Sequence, residues 1–299
     1  MPSTHSHLAG VAGVVAASCL WGTTGVSASL APEVGPIAIG AAAMGGGGLL
    51  QALLALPLVR QAAPKLLCRW LFILAAGLSV AVYPLAFYGS MRLAGITVGT
   101  VVSIGSSPVL AALVEMIADK AKPSARFIAA AALGIIGIAV LSVARSGDEA
   151  AASGTLPGIL CGLAAGLTYA YYSWAARRLM RDGIPGKAAM GALFGTGAVF
   201  LFPVLLLTGA PFLNSLGNLA VGLYMAMIPM FLGYLFFGYG LARVSASEAT
   251  TISLLEPVVA ALLAALVAGE RLTLPAWAGI ALIFSSLLAF ILPFGKKGG

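Results

Sequence analysis

Glu256 is followed by Pro257 near the middle of an apolar run from about residue 249 to residue 268, a stretch long enough to cross a bilayer. An ionisable group at that depth is costly to desolvate and normally faces a cavity or the interior of a helix bundle. Proline supplies no backbone donor and frees the carbonyl one turn back. Two roles follow for Glu256. It is either a proton-coupling or amine-binding carboxylate, or a structural carboxyl bonded to backbone donors of a neighbouring helix at the Pro257 bend. The residues alone leave both open. The other acids do not share its position: Glu33, Asp119, Asp148, Glu149, Asp182 and Glu270 fall in loops or boundaries, and Glu115 and Glu248 in end turns.

Aromatic and hydroxyl side chains supply most of the remaining intramembrane polarity. Trp21, Tyr83, Tyr169 and Tyr234 offer flat apolar faces with a polar handle. With Ser107 and Glu256 they are the candidate lining of a central, largely apolar cavity, to which Ser103, Thr250, Thr251 and Ser253 would add hydroxyls. Tyr88 and Tyr239, near opposite ends of their segments, are candidate gating residues. So are Pro108 and Pro257, whose helices would bend during transport. No Lys or Arg lies deep in an apolar run, so a phosphorylated substrate would lack a counter-charge.

Other chemistries find no support. There is no glycine-rich loop with a Lys-Ser/Thr to cradle a nucleotide phosphate. No nucleophilic triad can be assembled, because both histidines, His5 and His7, precede the first apolar run. Cys19, Cys68 and Cys161 are too far apart for a metal set and are expected to be buried thiols. An enzyme, a metal site and a cofactor are therefore not expected. The run Gly45–Gly48 lies inside an apolar segment and predicts close helix approach.

The elements that must position these residues are membrane helices. The chain is 61% hydrophobic and 8% charged, against about 25% charged in a soluble domain. Its mean hydropathy is +1.05. Apolar runs of about 20 residues recur without the alternation a membrane barrel needs. The expected fold is all-α and polytopic, with ten transmembrane helices over 8–30, 35–58, 70–91, 96–117, 125–144, 155–178, 186–208, 217–240, 247–268 and 273–292. Trp70 and Trp277 at segment ends suit an interfacial belt. The first seven residues carry no Lys or Arg, so no cleaved secretory signal is expected.

The net charge of +7 sits in short loops and so points away from nucleic acid and towards membrane orientation. If the N-terminus is cytoplasmic, that side holds thirteen Lys and Arg residues, from Arg60, Lys65 and Arg69 to Lys296 and Lys297. The other side holds only Arg92, Arg145 and Arg271. Both termini are expected in the cytoplasm.

An internal repeat relates the two halves. Tyr83, Tyr88, Gly89 and Arg92 recur 151 residues later as Tyr234, Tyr239, Gly240 and Arg243; Gly10 and Trp21 recur as Gly158 and Tyr169 after 148 residues. Pro108 recurs as Pro257, in the shared phrase Pro-Val-x-Ala-Ala-Leu. Five spans per half is an odd number, so the second half must cross in the opposite sense. Residues 1–146 and 155–299 are the expected inverted five-helix repeats, joined by a linker at 147–154. Secondary transporters often use this plan, with substrate near the midplane.

These features resemble the drug/metabolite transporter superfamily, and within it the EamA-type carriers. The resemblance spans the whole chain and rests on the five-plus-five pattern, on Trp21-Gly22, and on Leu255-Glu256-Pro257-Val258 with Gly269-Glu270. The first half departs from it, since Ser107-Pro108 has no acid beside the proline. Among such carriers the chain is most similar to bacterial YddG-type exporters of aromatic and other neutral amino acids. The resemblance implies an inner-membrane exporter working by alternating access, with small-molecule substrate between the repeats, surrounded by lipid bilayer and acting as a monomer or weak homo-oligomer. The alternative is an exporter of amphipathic drugs or nucleoside-like metabolites, with proton coupling as a further option.

Overall fold

Helices make up nearly all of the described residues, 4–145, 155–268 and 272–291, of the computed structural model, and no strand occurs among them. Hydrocarbon offers no partner to backbone amides, so an apolar chain of this composition satisfies them within helices. The first half comprises α1 (Thr4–Trp21), α2 (Thr24–Ser29), α3 (Pro36–Gln61), α4 (Ala63–Leu67), α5 (Trp70–Ala94), α6 (Ile96–Asp119) and α7 (Ala125–Arg145). The second comprises α8 (Thr155–Arg181), α9 (Gly186–Thr208), α10 (Leu216–Met225), α11 (Gly233–Leu241), α12 (Ala246–Ile252), α13 (Glu256–Ala268) and α14 (Leu274–Ile291).

Among the described residues, eight stretches are long and apolar enough to cross a membrane: His5–Ser29, Pro36–Gln61, Trp70–Ala94, Val98–Asp119, Ala125–Ala144, Gly186–Thr208, Leu216–Leu241 and Ala246–Val267. The protein is a multi-pass helical membrane protein. Two further helices occupy predicted positions but differ in character. α8 is 27 residues long and carries Arg177, Arg178 and Arg181 in its last turns; the apolar part of α14, Leu274–Ala289, is shorter than the others. The linker 147–154 and the pair Gly269-Glu270 lie outside the described residues.

Two sequence expectations need correction. α1 begins at Thr4, so His5 and His7 are helical rather than in a tail, and His7 reaches Glu248 at 3.7 Å. The cysteines are not buried: Cys19 and Cys68 are exposed and Cys161 half-exposed. A thiol is apolar enough to face lipid, so apolar character alone did not distinguish core from bundle surface.

Local sequence sets where helices start, bend and stop. α12 opens with a capping box in which Ser245 Oγ accepts from the Glu248 amide and the Glu248 carboxylate accepts from the Ser245 amide. Gly95, at φ +86°, is the single residue between α5 and α6 and turns the chain there. Prolines 84, 108 and 203 sit within continuous helices. Pro229 sits in a π-helical stretch, Ala226–Leu232, between α10 and α11, and Pro257 follows a 3-10 turn, Ser253–Leu255, that separates α12 from α13. The repeat-related prolines therefore differ: α6 runs through Pro108, whereas its counterpart is broken one residue before Pro257.

Helix contacts come in matched couples under exchange of the halves. α1 packs on α11 as α8 packs on α5, and α3–α9 and α7–α14 are each their own counterpart. Glycines let these backbones approach. A Cβ on Gly48 would lie 2.4 Å from the Phe194 carbonyl oxygen, and Gly137 and Gly279 face each other's carbonyls at 2.9 and 2.8 Å by the same construction.

Candidate functional site: an interior aromatic cluster and an unpaired carboxylate

The last turn of α1 carries Trp21 into the bundle centre. Its indole N–H donates to the Pro229 carbonyl at 2.9 Å, where the π-helical stretch leaves that oxygen available. The Trp21 ring lies 4.8 Å from Tyr234, 5.1 Å from Phe237 and 6.4 Å from Tyr169. Tyr83 of α5, in the first half with Trp21, joins at 5.5 Å from Tyr169 and 6.0 Å from Tyr172 of the second. The hydroxyls of Tyr172 and Tyr234 share a hydrogen bond of 2.7 Å, and the Tyr169 hydroxyl donates to Ser253 Oγ at 3.0 Å. Such a set combines edge and tilted ring contacts with hydrogen-bonded hydroxyls on Tyr169, Tyr172 and Tyr234.

Four of the predicted lining residues, Trp21, Tyr83, Tyr169 and Tyr234, are thus brought into one cluster. Ser107 is not part of it. It is fully buried and its hydroxyl donates to the Ile104 carbonyl of its own helix. The hydroxyls of Thr250, Thr251 and Ser253 likewise donate to carbonyls three or four residues back. Of the predicted gating residues, Tyr88 is half-buried against Phe87. Tyr239 is 47% exposed on the bundle surface, with the Arg243 guanidinium 3.6 Å above its ring. Pro108 and Pro257 are buried within their helices. The predicted lining set leaves out two members of the cluster, Tyr172, an intramembrane aromatic also evident in the sequence, and Phe237. Each stands three residues after a predicted member, Tyr169 and Tyr234, and so on the same helix face.

Glu256 is the first residue of α13. Its neighbours Leu254, Leu255, Pro257 and Val258 are buried, yet Glu256 retains accessible surface, as do Tyr83, Phe87 and Tyr88. These partly accessible residues stand on α5 and α13 beside the buried rings of the cluster. Tyr83, Tyr88, Tyr169 and Tyr234 all lie within Coulombic reach of it. No hydrogen bond or ion pair holds it among the described residues.

The basic end is closed by contrast. Asp119 at the end of α6 accepts from the Trp174 indole (2.9 Å), Arg178 (2.8 Å) and Arg181 (3.2 Å) of α8. Glu115, one turn earlier, accepts from the Ala246 amide at 2.8 Å and the Ser247 hydroxyl at 2.5 Å, so an α6 carboxylate caps α12. Asp182 pairs with Arg69 and Arg178; the Arg69 hydrogen bond is the main influence holding its carboxyl below the ordinary range. An open cleft of about 440 Å³ at this end, lined by Lys65, Cys68 and Arg69 among others, shares no residue with the aromatic cluster. Among the described residues, no group of three or more His, Cys, Asp or Glu could hold a metal ion.

Comparison with known proteins agrees with this architecture. An uncharacterized transporter of Bacillus subtilis, YwfM, is 33% identical over 276 residues, covering 92% of this chain and 91% of its own length. An uncharacterized transporter of Archaeoglobus fulgidus is 28% identical over 131 residues, covering 44% of this chain and 46% of its own. A solved crystal structure shares the fold, with a TM-score of 0.77, 20% identity and 96% of each chain covered. The EamA-like transporter family matches twice, over residues 8–143 and again over residues 156–292. With both halves matched and the helices in place, the chain belongs to the EamA-like transporter family.

Proposed function

We propose that this membrane transporter exports aromatic and other neutral amino acids from the cytoplasm by alternating access. In this reading α8 and α14 complete ten spans, and residues 1–146 and 155–299 form two inverted repeats in the bacterial inner membrane. The basic end, with both chain termini, faces the cytoplasm. The observation that carries the reading is the aromatic cluster at the junction of the halves, with accessible surface on Tyr83, Tyr88 and Glu256. Flat apolar rings with polar handles suit a bulky side chain, and inverted-repeat carriers place substrate where the repeats meet. Trp21, Tyr83, Tyr169, Tyr234 and Glu256 are the proposed binding residues. Tyr88 forms the proposed gate with Pro108 and Pro257, at which the helices would bend during transport, while the Asp119 and Glu115 contacts seal the basic end. An amphipathic drug would fit the same rings, and substrate identity is what the experiment decides.

The test is flux of labelled phenylalanine and methionine into proteoliposomes holding the purified protein, with and without an imposed pH gradient. Saturable flux of either amino acid supports the proposal, and dependence on the gradient would add proton coupling. Absence of both fluxes, with flux of an amphipathic drug in the same vesicles, would replace amino acids by drugs.

A further inference from the structure

We infer that Glu256 is the counter-ion for an ammonium group, so that the molecules this site selects are organic amines carrying an aromatic or bulky apolar part. This deepens the transport reading and rests on it for its biological meaning.

The scaffold role that the sequence left open for Glu256 requires backbone donors from a neighbouring helix. None reaches it: among the described residues the carboxylate has no hydrogen bond and no ion pair. The helix tightens to a 3-10 turn at Ser253–Leu255 and returns to α-helical geometry at Glu256, so the carboxyl group stands at an irregular point of the Ala246–Val267 span. Side-chain cations are distant, because the basic residues of the described helices occupy end turns, such as Arg92 of α5 and Arg177, Arg178 and Arg181 of α8. The centre of the bundle therefore holds one acidic group without a resident cation beside it among the described residues.

A ligand can supply what the protein omits. An unpaired interior carboxylate is compensated most directly by an ammonium that brings both charge and donors. The rings of Tyr83 and Tyr88, which keep accessible surface and lie within reach of the carboxyl group, offer negative quadrupole to a cation and apolar area to the rest of the molecule. An amino acid would engage through its α-ammonium. A carboxylic acid without an amine would meet the like charge of Glu256 and find no cation to offset it.

The experiment is a binding titration on the purified full-length protein in detergent, read by the shift in thermal midpoint and by quenching of intrinsic fluorescence. The probes are phenylalanine, β-phenylethylamine, phenylalaninamide and 3-phenylpropionate, which share a ring and differ in charged groups. The amine and the amide are expected to bind saturably, and 3-phenylpropionate about tenfold more weakly or worse. Glu256→Gln should weaken the amines by about the same factor, and Glu256→Asp should restore part of it. Gel filtration checks that each variant is folded, and the wild-type series alone decides the matter if the variants are not. Equal binding of amine and acid by the wild type, or unchanged amine affinity in folded Glu256→Gln, would overturn the inference. Amine binding without flux in proteoliposomes would instead count against transport while leaving the ammonium site standing.

Discussion

The Tyr172–Tyr234 pair shows what single side chains contribute here. Tyr172 is fully buried and Tyr234 is 3% exposed, and each hydroxyl satisfies the other across two helices. Tyr172→Phe removes one oxygen, leaves the Tyr234 hydroxyl without that bond, and should cost about 1–2 kcal/mol. The double variant Tyr172→Phe/Tyr234→Phe removes both polar groups and should recover part of that loss. Thermal midpoints in detergent measure this, and a double variant as unstable as the sum of the singles would contradict the pairing. At the basic end, the depressed carboxyl of Asp182 gives a pH expectation. A folded-state value below the unfolded one stabilises above the unfolded value, and that contribution disappears as pH falls through the folded one. The pair with Arg69 should therefore be indifferent to pH between 7 and 5 (a range well above the ordinary aspartate value of 3.8) and weaken only below it. Comparing wild type with Asp182→Asn across acid pH checks the sign: the difference in midpoint should shrink only at the acid extreme. Sequence symmetry led to Tyr83 and Tyr234 but not to Tyr172 or Phe237. Repeat spacing selects residues by correspondence, whereas the cluster is built by helix face.

Element-scale features divide by the kind of signal they leave in a chain. Apolar runs gave the helices, because a bilayer demands a continuous length of apolar residues whatever packs beside them. Breaks inside helices were less legible. Pro108 and Pro257 occupy matching places, yet only the second lies beside a break, and the π-helical stretch around Pro229 has no signature beyond the proline itself. Tyr239 illustrates a further limit: its distance from the helix end was readable, but its 47% exposure depends on which face α11 turns to α1. The glycines test the packing directly. A Cβ on Gly48 would come within 2.4 Å of the Phe194 carbonyl oxygen, and backbone there cannot retreat cheaply. Nothing lies within 4 Å of a Cβ added to Gly25. Gly48→Ala should cost about 1–3 kcal/mol and lower the yield of folded protein, whereas Gly25→Ala should leave the thermal midpoint unchanged or slightly raised. Equal midpoints for the two variants would mean that α3 and α9 do not cross as closely as described.

For the whole molecule, the arrangement is asymmetric along the bundle axis although its two halves are related. Tyr83, Tyr88 and Glu256 keep accessible surface, and the basic end is held by α6, whose Asp119 accepts from α8 and whose Glu115 caps α12. The duplicated sequence made matching halves legible, but it could not show which end is shut. Closure depends on Asp119 and Glu115 meeting cations and a helix start from the other half, contacts more than 50 residues away in the chain. Alternating access requires that this end open in turn, and the asymmetry says where resistance to opening lies. Ala176, fully buried on α8 between the Asp119 contacts Trp174 and Arg178, is a small position at which to read it. In a protein whose native cysteines are replaced, Ala176→Cys should resist a hydrophilic maleimide, while Tyr88→Cys should react with it. Adding Asp119→Ala removes the acceptor of Trp174, Arg178 and Arg181 together, and should speed labelling of Ala176→Cys several-fold or more while slowing that of Tyr88→Cys. Opposite changes at the two sites are the mark of a shifted two-state equilibrium, because a variant that merely loosened the bundle would speed both. Faster labelling at both sites would make Asp119 a contributor to stability and leave the gate to be sought elsewhere.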